Sequence, residues 1–549
     1  MKDAVENQTQ AKDAAVSGTT GWRRSSVARW LLMAGVCLCA TGVHAQDNGT
    51  AADGLDAPWT PDIVQAIDEY VPSPAFNGGR LSLDHFAAAN SVDIVGGITA
   101  QLSNGDIVVA GLVPPSGVST CNNGAALCSI GLVRYNAAGV RKTWSTPGSW
   151  GQFSNQYIVY PGTPQYEYIR AINVRPGFID VMVDEINSSR AGLGRQDVRI
   201  VSFTQDGLYQ SQFPFFGAAP EALDILDFYG AQMVQINSTR VIAVATAYDS
   251  VGPFVSVTRM KILTNGALDI DPMWGSPYGN LNYLKQYYPP NSSCAAAPCK
   301  ATAGYAVRPV GSNFDDFYVA GSVQWNGDDW DTFVLKISSQ DGSTKPEFSG
   351  DGWARFGFDQ LNSNFNDRGA GLYVYQDEIY LAAQVAQKCH PGIGMAKING
   401  ANGNLIAAFG GSGRIVFGGQ GNSPICLDNG RLDDVPLAIS ATGGRIGIVG
   451  YERSKFNIIT SVTHYDPMLA VVDAVGGVVL DLDSHSVKRA DGSRYGDAVL
   501  YSVYGGPSPQ SPFTVAGNGR DATAGNTLSY VTGVFIPVSA DRIFASGFE

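Results

Sequence analysis

The chain has 549 residues, a formal net charge of −13 and only 15% charged residues, whereas glycine (65 residues) and aromatic residues (10%) are abundant. This acidic balance argues against nucleic acid or anionic lipid as a partner, because phosphate binding needs clustered lysine and arginine. The composition, with almost no helical periodicity after residue 70, favours short strands joined by tight turns.

The N-terminal residues 1–45 are typical of a secretory signal peptide. Arg23, Arg24 and Arg29 precede a short apolar run over residues 30–40, and residues 43–45 provide a cleavage site near Ala45. The run is too short to span a bilayer. We therefore expect a secreted, periplasmic or cell-surface protein without an integral membrane span after cleavage, and residues 46–71 as a lead-in segment.

Six cysteines follow the signal segment. We predict disulfides in preference to a metal site or free thiols, because export favours oxidation and no CxxC pair is present. Two close pairs favour local disulfides, although the connectivity stays open. The six are Cys121, Cys128, Cys294, Cys299, Cys389 and Cys426.

One apolar strand pattern recurs seven times along the chain. A second strand follows most copies and ends in a glycine-containing turn such as Asp206-Gly207, which is a strong hairpin signal. An aromatic-glycine segment comes next, as in residues 347–358 and 408–419. The positions that we take as equivalent are Ala110, Val183, Ala245, Ala320, Ala382, Val449 and Ala516.

The repeat begins and ends in the middle of a unit. Residues 75–86 match the aromatic-glycine segment, and residues 526–535 match the second strand, so the two chain ends together complete one unit. We therefore predict an all-β fold: a single β-propeller over residues 72–535, with seven blades of four-stranded antiparallel sheets and a C-terminal tail at 536–549. A row of sandwich domains and a β-helix are the alternatives. The spacing between these equivalent positions is longer than four short strands need, and it therefore also predicts long loops on one face.

Residues 338–358 and 399–417 resemble the delta-60 repeat of exported bacterial proteins, in which Asp-Gly is followed by Phe-Gly and a strand. The resemblance implies a propeller-like array and no catalytic residues. The tail, residues 541–549, is similar to the Ile-Phe-x-x-Gly-Phe-Glu ending of secreted proteins of the Xanthomonas and Lysobacter kind. The tail is interpreted either as a sorting or processing signal, or as a final edge strand or a disordered end.

Acidic clusters are the clearest candidates for chemistry. Asp328, Asp329 and Asp331 are a weak calcium candidate, since oxygen ligands at this spacing suit Ca²⁺, although solvated turn aspartates explain them as well. Other clusters of this kind are Asp269 with Asp271, and Asp481, Asp483, Asp491 and Asp497. Asp180, Asp184 and Glu185 lie on or beside a predicted inner strand, where paired carboxylates would suit a glycosidase.

Few other residues point to catalysis. The four histidines after the signal segment lie near no recognisable nucleophile motif: His85, His390, His464 and His485. Tyrosines in residues 165–170 and 283–290 could stack on sugar rings or pack loops. We expect a monomeric binding module for a protein or glycan, acting through the long-loop face without a cofactor other than the calcium candidate. The alternative is an extracellular polysaccharide hydrolase or lyase with carboxylates at a central pocket.

Overall fold

The computed structural model describes most of the chain from Asp68 to Ser539. The described residues are 68–84, 94–113, 128–144, 157–160, 165–186, 196–214, 227–248, 253–272, 274, 284–289, 301–307, 316–324, 330–358, 367–375, 377–387, 390–419, 430–457, 462–489, 491, 493–506, 511–521 and 527–539. These residues contain strands and turns but no helix. Residues 1–67, which include the predicted signal peptide, and residues 540–549 lie outside them.

Seven antiparallel sheets form a ring, and each is one blade of a β-propeller. The first strand of each blade is innermost, because it contacts the corresponding strands of its neighbours around the central channel. The inner strands of blades 1 to 7 are β3 (Ile94–Gln101), β7 (Gln165–Arg175), β11 (Asp227–Asn237), β16 (Ala301–Val307), β20 (Asp367–Tyr375), β24 (Gly430–Thr442) and β28 (Ala498–Gly505).

The second and third strands form the buried middle of each blade, and their apolar side chains pack between neighbouring sheets. The second strands are β4 (Ile107–Val113), β8 (Phe178–Ile186), β12 (Arg240–Tyr248), β17 (Asp316–Gln324), β21 (Glu378–Val385), β25 (Arg445–Asn457) and β29 (Phe513–Asp521). The third strands are β5 (Ser129–Tyr135), β9 (Gln196–Thr204), β13 (Pro253–Ile262), β18 (Trp330–Ser338), β22 (Gly392–Asn399), β26 (Val462–Asp473) and β30 (Thr527–Ser539).

Short outer strands complete the blades. In blades 1 to 6 they are β6 (Tyr157–Tyr160), β10 (Tyr209–Pro214), β14 (Leu268–Ile270) with β15 (Leu284–Tyr287), β19 (Trp353–Phe356), β23 (Arg414–Phe417) and β27 (Val479–Ser484). In blade 7 the outer strands come from the beginning of the described chain: β1 (Asp68–Pro72) and β2 (Ser82–Asp84) both pair with β30.

The predicted closure of the ring by both chain ends is confirmed. Asp84 pairs with Tyr530, and Phe76 lies in the turn between the two outer strands of the same sheet. The seven-bladed, four-stranded antiparallel architecture is confirmed as well. Blade 7 begins at Asp68 and extends to Ser539, a few residues beyond each predicted bound of the propeller.

A bulge in the inner strand defines the equivalent position in each blade. In blades 4 to 7 the residue after the bulge pairs with the position that we took as equivalent from the sequence. These positions are Ala320, Ala382, Val449 and Ala516. In blades 2 and 3 the corresponding partner is Met182 or Val244, one residue before the position assigned from sequence. The alignment is off by one there because the neighbouring residues are equally apolar.

The aromatic-glycine segments connect neighbouring blades. Phe76, Trp274 and Phe409 are buried, and each ring lies against a glycine in the turn between the third and fourth strands of the next blade. A Cβ on Gly477, for example, would lie 3.1 Å from the ring of Phe409. The recurring aromatic and the recurring turn glycine of the sequence are thus two halves of one contact between blades.

Hydrogen bonds reinforce the same junction. Lys397 Nζ and Tyr380 Oη each donate to the carbonyl oxygen of Ala474 in the next blade, both over 3.0 Å. Blade 4 repeats this arrangement, since Lys336 and Tyr318 donate to the carbonyl oxygen of Gly400. We call this pair of contacts the interblade latch.

The strand order fixes two unlike ends of the channel. At one end, which we call the hairpin face, the inner strands turn into the second strands through connections such as 102–106 and 176–177. At the other end, the long-loop face, the second strands end and the third strands begin, with longer connections between them such as the one from Val113 to Ser129. Most residues of these longer connections lie outside the described part of the chain.

Candidate functional site

A cavity of 1210 Å³ occupies the central channel. Its walls come from the inner strands of blades 1, 2, 3, 5, 6 and 7, and it reaches the hairpin face at exposed Ser103, Pro176 and Gly177. The volume exceeds the roughly 300–1,000 Å³ of pockets for drug-sized ligands. The space therefore suits an extended molecule.

Bulged residues of the inner strands shape this cavity. A bulge inserts one extra residue into a strand and re-aims its side chain. Arg170, Ala231, Leu437 and Tyr501 are each skipped in the pairing with the second strand, and all four line the cavity. Blades 4 and 5 carry only Gly304 and Ala370 at this level. Large side chains at this level thus come from blades 2, 6 and 7, whereas blades 3, 4 and 5 present only alanine or glycine.

Tyrosines cover much of the wall on the side of blade 7. Tyr501 belongs to an inner strand yet is 39% exposed, and this exposure is to the cavity that it lines. Tyr504 also lines the cavity and lies further along β28, nearer the hairpin face. Burial raises the pKa of both phenols, so both are protonated donors at neutral pH. Burial and the nearby Tyr504 and Tyr375 likewise raise the pKa of Tyr373.

Arg170 is one of two charged side chains among the described residues of the cavity wall. Its Nε donates to Asp184 over 2.6 Å, and its guanidinium lies 4.8 Å from the ring centroid of Tyr168. Asp184 is fully buried, and its other oxygen accepts the backbone N–H of Gly230 in the next blade over 2.8 Å. The carboxylate neutralises the arginine and links two blades.

Arg175 is the second charged residue of the wall and is only 2% exposed. Its Nε and Nη2 donate to the two oxygens of Asp180 over 2.5 and 2.7 Å, which is the bidentate geometry of a strong charge-assisted pair. Ser202 donates to the same carboxylate over 2.7 Å, and Asn173 does so over 3.3 Å. All of these groups hold the carboxylate in place.

The three acidic residues proposed for a glycosidase do not converge on the channel. They lie on β8, the second strand of blade 2, which is directly beside the inner strand β7 as expected. Glu185 accepts Nε and Nη2 of Arg199 over 2.5 and 2.7 Å. With Asp180 and Asp184 also paired to arginines, each carboxylate has a structural partner of opposite charge.

The remaining acidic candidates also have local partners. Asp271 is buried between Arg240 and Arg259, and Asp269 pairs with Lys261 on the surface. Asp481 accepts the backbone N–H of Tyr70, and the carboxylates of Asp483 and Asp491 accept backbone N–H groups of nearby serines. Asp497 faces His464 and Arg494. These contacts match the solvated or structural aspartates of turns.

The calcium candidate remains a prediction. Asp331 lies on β18, and its charge acts on the buried guanidinium of Arg355. Asp328 and Asp329 lie outside the described residues. Among the described residues, no three His, Cys, Asp or Glu side chains are arranged to hold a metal ion.

The histidines take structural positions where they are described. His390 is buried, and its Nδ1 lies 2.9 Å from Asp433, which also binds Arg453. His464 Nδ1 lies 3.3 Å from Asp497. His485 packs on Phe535, and burial lowers its pKa, so it is neutral at pH 7. His85 lies outside the described residues.

Several other predictions fall outside the described residues, among them Cys121, Cys294, Cys299, Cys389 and Cys426. Cys128 is described and fully buried before β5, but the predicted disulfide pairing stays a prediction. Of the tyrosines that we expected to bind sugars, Tyr168 lines the cavity, whereas Tyr287 is buried and donates to the carbonyl oxygen of Gly342. No helix in the described part of the chain is long and apolar enough to cross a membrane.

Tyr501, Tyr504 and the bulged Leu437 were missed in the sequence. The inner strands do not alternate regularly, because a bulge shifts the two-residue period halfway along each strand. The sequence offered one signal for this wall, because residues 498–505 carry two tyrosines just before a predicted strand.

The chain resembles solved structures at low sequence identity. No family model and no curated protein matches the sequence. Among solved structures, the chain is similar to a polysaccharide lyase, PL25 ulvan lyase (TM-score 0.43, 10% identity, 85% of this chain and 99% of the other). It is also similar to polysaccharide lyase Uly1 (0.40, 9%, 86% and 99%) and to Trypanosoma rangeli sialidase in complex with sialic acid (0.34, 8%, 72% and 58%). Likenesses at this level carry no argument about function.

Proposed function

We propose that the protein is an exported, non-catalytic propeller that binds a glycan chain in its central channel. One observation carries the proposal: a 1210 Å³ cavity, open at the hairpin face, is lined by Tyr168, Tyr501 and Tyr504. Tyrosine offers a large apolar ring together with a hydroxyl, which suits a ligand with both C–H surfaces and hydroxyl groups. Export rests on the signal-like residues 1–45.

The amide side chains of the wall support a sugar ligand. Gln101, Asn173, Gln205 and Gln232 line the cavity, and an amide both donates and accepts hydrogen bonds, as sugar hydroxyls do. They come from blades 1, 2 and 3, and blade 1 is next to blade 7, so the amides follow the blade 7 tyrosines around the ring. A protein partner through the long-loop face has no comparable support among the described residues.

A glycan binding screen of the mature protein tests this proposal. For any polysaccharide or oligosaccharide that binds, we expect Tyr501→Ala to weaken binding by roughly tenfold or more, the loss expected for a central aromatic anchor. Tyr288→Ala is the matched control, because this tyrosine is similarly exposed (42%) but stacks on Phe254 outside the cavity. Equal effects of both variants, or no glycan binding at all, would overturn the proposal.

The same samples test the alternative of an extracellular hydrolase or lyase. Most glycoside hydrolases use two positioned carboxylates, and the carboxylates beside this cavity are held by Arg170 and Arg175. We expect bound polymers to keep their length, measured as the absence of new reducing or unsaturated chain ends after prolonged incubation. Release of such ends that is lost in Tyr501→Ala would make the protein an enzyme and contradict the proposal.

A further inference from the structure

The charges of the cavity wall indicate which glycans the channel accepts, provided that the proposed glycan function holds. The two charged side chains among its described lining residues are Arg170 and Arg175. Each has a fully buried aspartate directly behind it, at 2.6 Å for Asp184 and 2.5 Å for Asp180. The wall is therefore close to neutral, although it contains two arginines.

The positive charge of both arginines is already compensated within the protein. Arg175 is 2% exposed and presents its Nε and Nη2 to Asp180, so this bidentate edge is occupied within the protein. Arg170 uses its Nε on Asp184, and its flat face lies toward Tyr168. A carboxylate or sulfate entering the cavity would also approach two buried aspartates, whose repulsion is weakly screened away from water.

The charge of the whole chain acts in the same direction. With a net charge of −13, the protein repels anions at long range and slows their approach to the channel. The polar groups that remain in the wall are neutral amides and protonated phenols, including Gln232 and Tyr501. Such groups bind hydroxyls without a charge preference.

We propose that the channel selects an uncharged oligosaccharide, built of neutral sugar units, over uronate-containing or sulfated chains. Tyr501 and Tyr504 stack on the apolar faces of the sugar rings. The amides of blades 1, 2 and 3 bind the hydroxyls. Asp180 and Asp184 provide the selectivity, because they cancel the positive charge that would otherwise attract an acidic sugar.

The wild-type protein provides the first test. Neutral and uronate-containing oligosaccharides of equal length are compared by calorimetry at low and high salt. We expect the neutral chains to bind more tightly, with little change on adding salt. Tighter binding of the acidic chains would overturn the selectivity while leaving the proposed glycan function intact, whereas binding of neither would overturn both.

Asp184→Asn provides the second test. The asparagine keeps an oxygen for the N–H of Gly230 but removes the charge that neutralises Arg170. We expect the affinity for acidic relative to neutral chains to rise by roughly fivefold or more, the factor that a pair of unit charges about 4 Å apart contributes in water. Asp269→Asn is the control, because it makes the same charge change at an exposed pair with Lys261. An unchanged ratio in a folded Asp184→Asn protein would overturn the role of Asp184.

Discussion

Asp180 and Asp184 lie four residues apart on the same face of β8, which is the arrangement that a paired-carboxylate mechanism would need. The structure instead places an arginine of the inner strand against each of them. The sequence singled these residues out because paired carboxylates beside a predicted inner strand would suit a glycosidase. Their partners could not be predicted, because Arg170 belongs to a bulge and its direction depends on the backbone.

The buried pair of Arg175 and Asp180 predicts a large stability effect. Asp180→Ala leaves a guanidinium that is 2% exposed without its counter-charge, and we expect a loss of about 3–5 kcal/mol in the free energy of unfolding. The double variant Asp180→Leu/Arg175→Met should recover most of this loss. Chemical denaturation measures both, with Asp269→Ala as a surface control expected to cost about 0–1 kcal/mol. A small loss for Asp180→Ala would argue against a structural role.

At the scale of single strands, the second and third strands of each blade were predictable and the inner strands were not. Strands such as β12 are buried on both faces and appear in the sequence as continuous apolar runs. The inner strands combine polar, aromatic and small residues around a bulge, so no period survives along their length. The functional wall consists of these strands, and this is why the repeat was found from sequence while the site was not.

The contact between Phe409 and Gly477 yields a prediction for one blade junction. Gly477 has φ +72, so alanine there pays about 1–2 kcal/mol of left-handed strain, and its Cβ would also press on Phe409. Gly444 has φ +89 but open space around it, so Gly444→Ala introduces the backbone strain alone. We therefore expect Gly477→Ala to lower the free energy of unfolding by roughly 1–3 kcal/mol more than Gly444→Ala. Equal losses in denaturant titrations would show that the contact between Phe409 and Gly477 accommodates the added methyl group without a further loss of stability.

The molecule as a whole depends on the pairing of its two ends, because an open ring would expose strand edges and the faces of two blades. Its closing strand β30 pairs with β29 along one edge and with both β1 and β2 along the other. This closure was predictable, since residues 75–86 and 526–535 carry the missing halves of one repeat. The first outer strand was not identified, because Asp68–Pro72 lacks the repeat pattern.

Removal of the N-terminal outer strands tests the closure directly. A chain that begins at His85 lacks β1 and β2, so Tyr70 and Leu81 no longer cover the core of blade 7. We expect a lower Tm and concentration-dependent association, because the edge of β30 becomes available to a second copy. A chain that begins at Asp68 keeps every described strand and is expected to retain the Tm of the mature protein, measured by calorimetry. Equal Tm values for the two chains would mean that blade 7 closes the ring without its N-terminal strands. The pairing of the two chain ends would then not be required for the stability of the propeller.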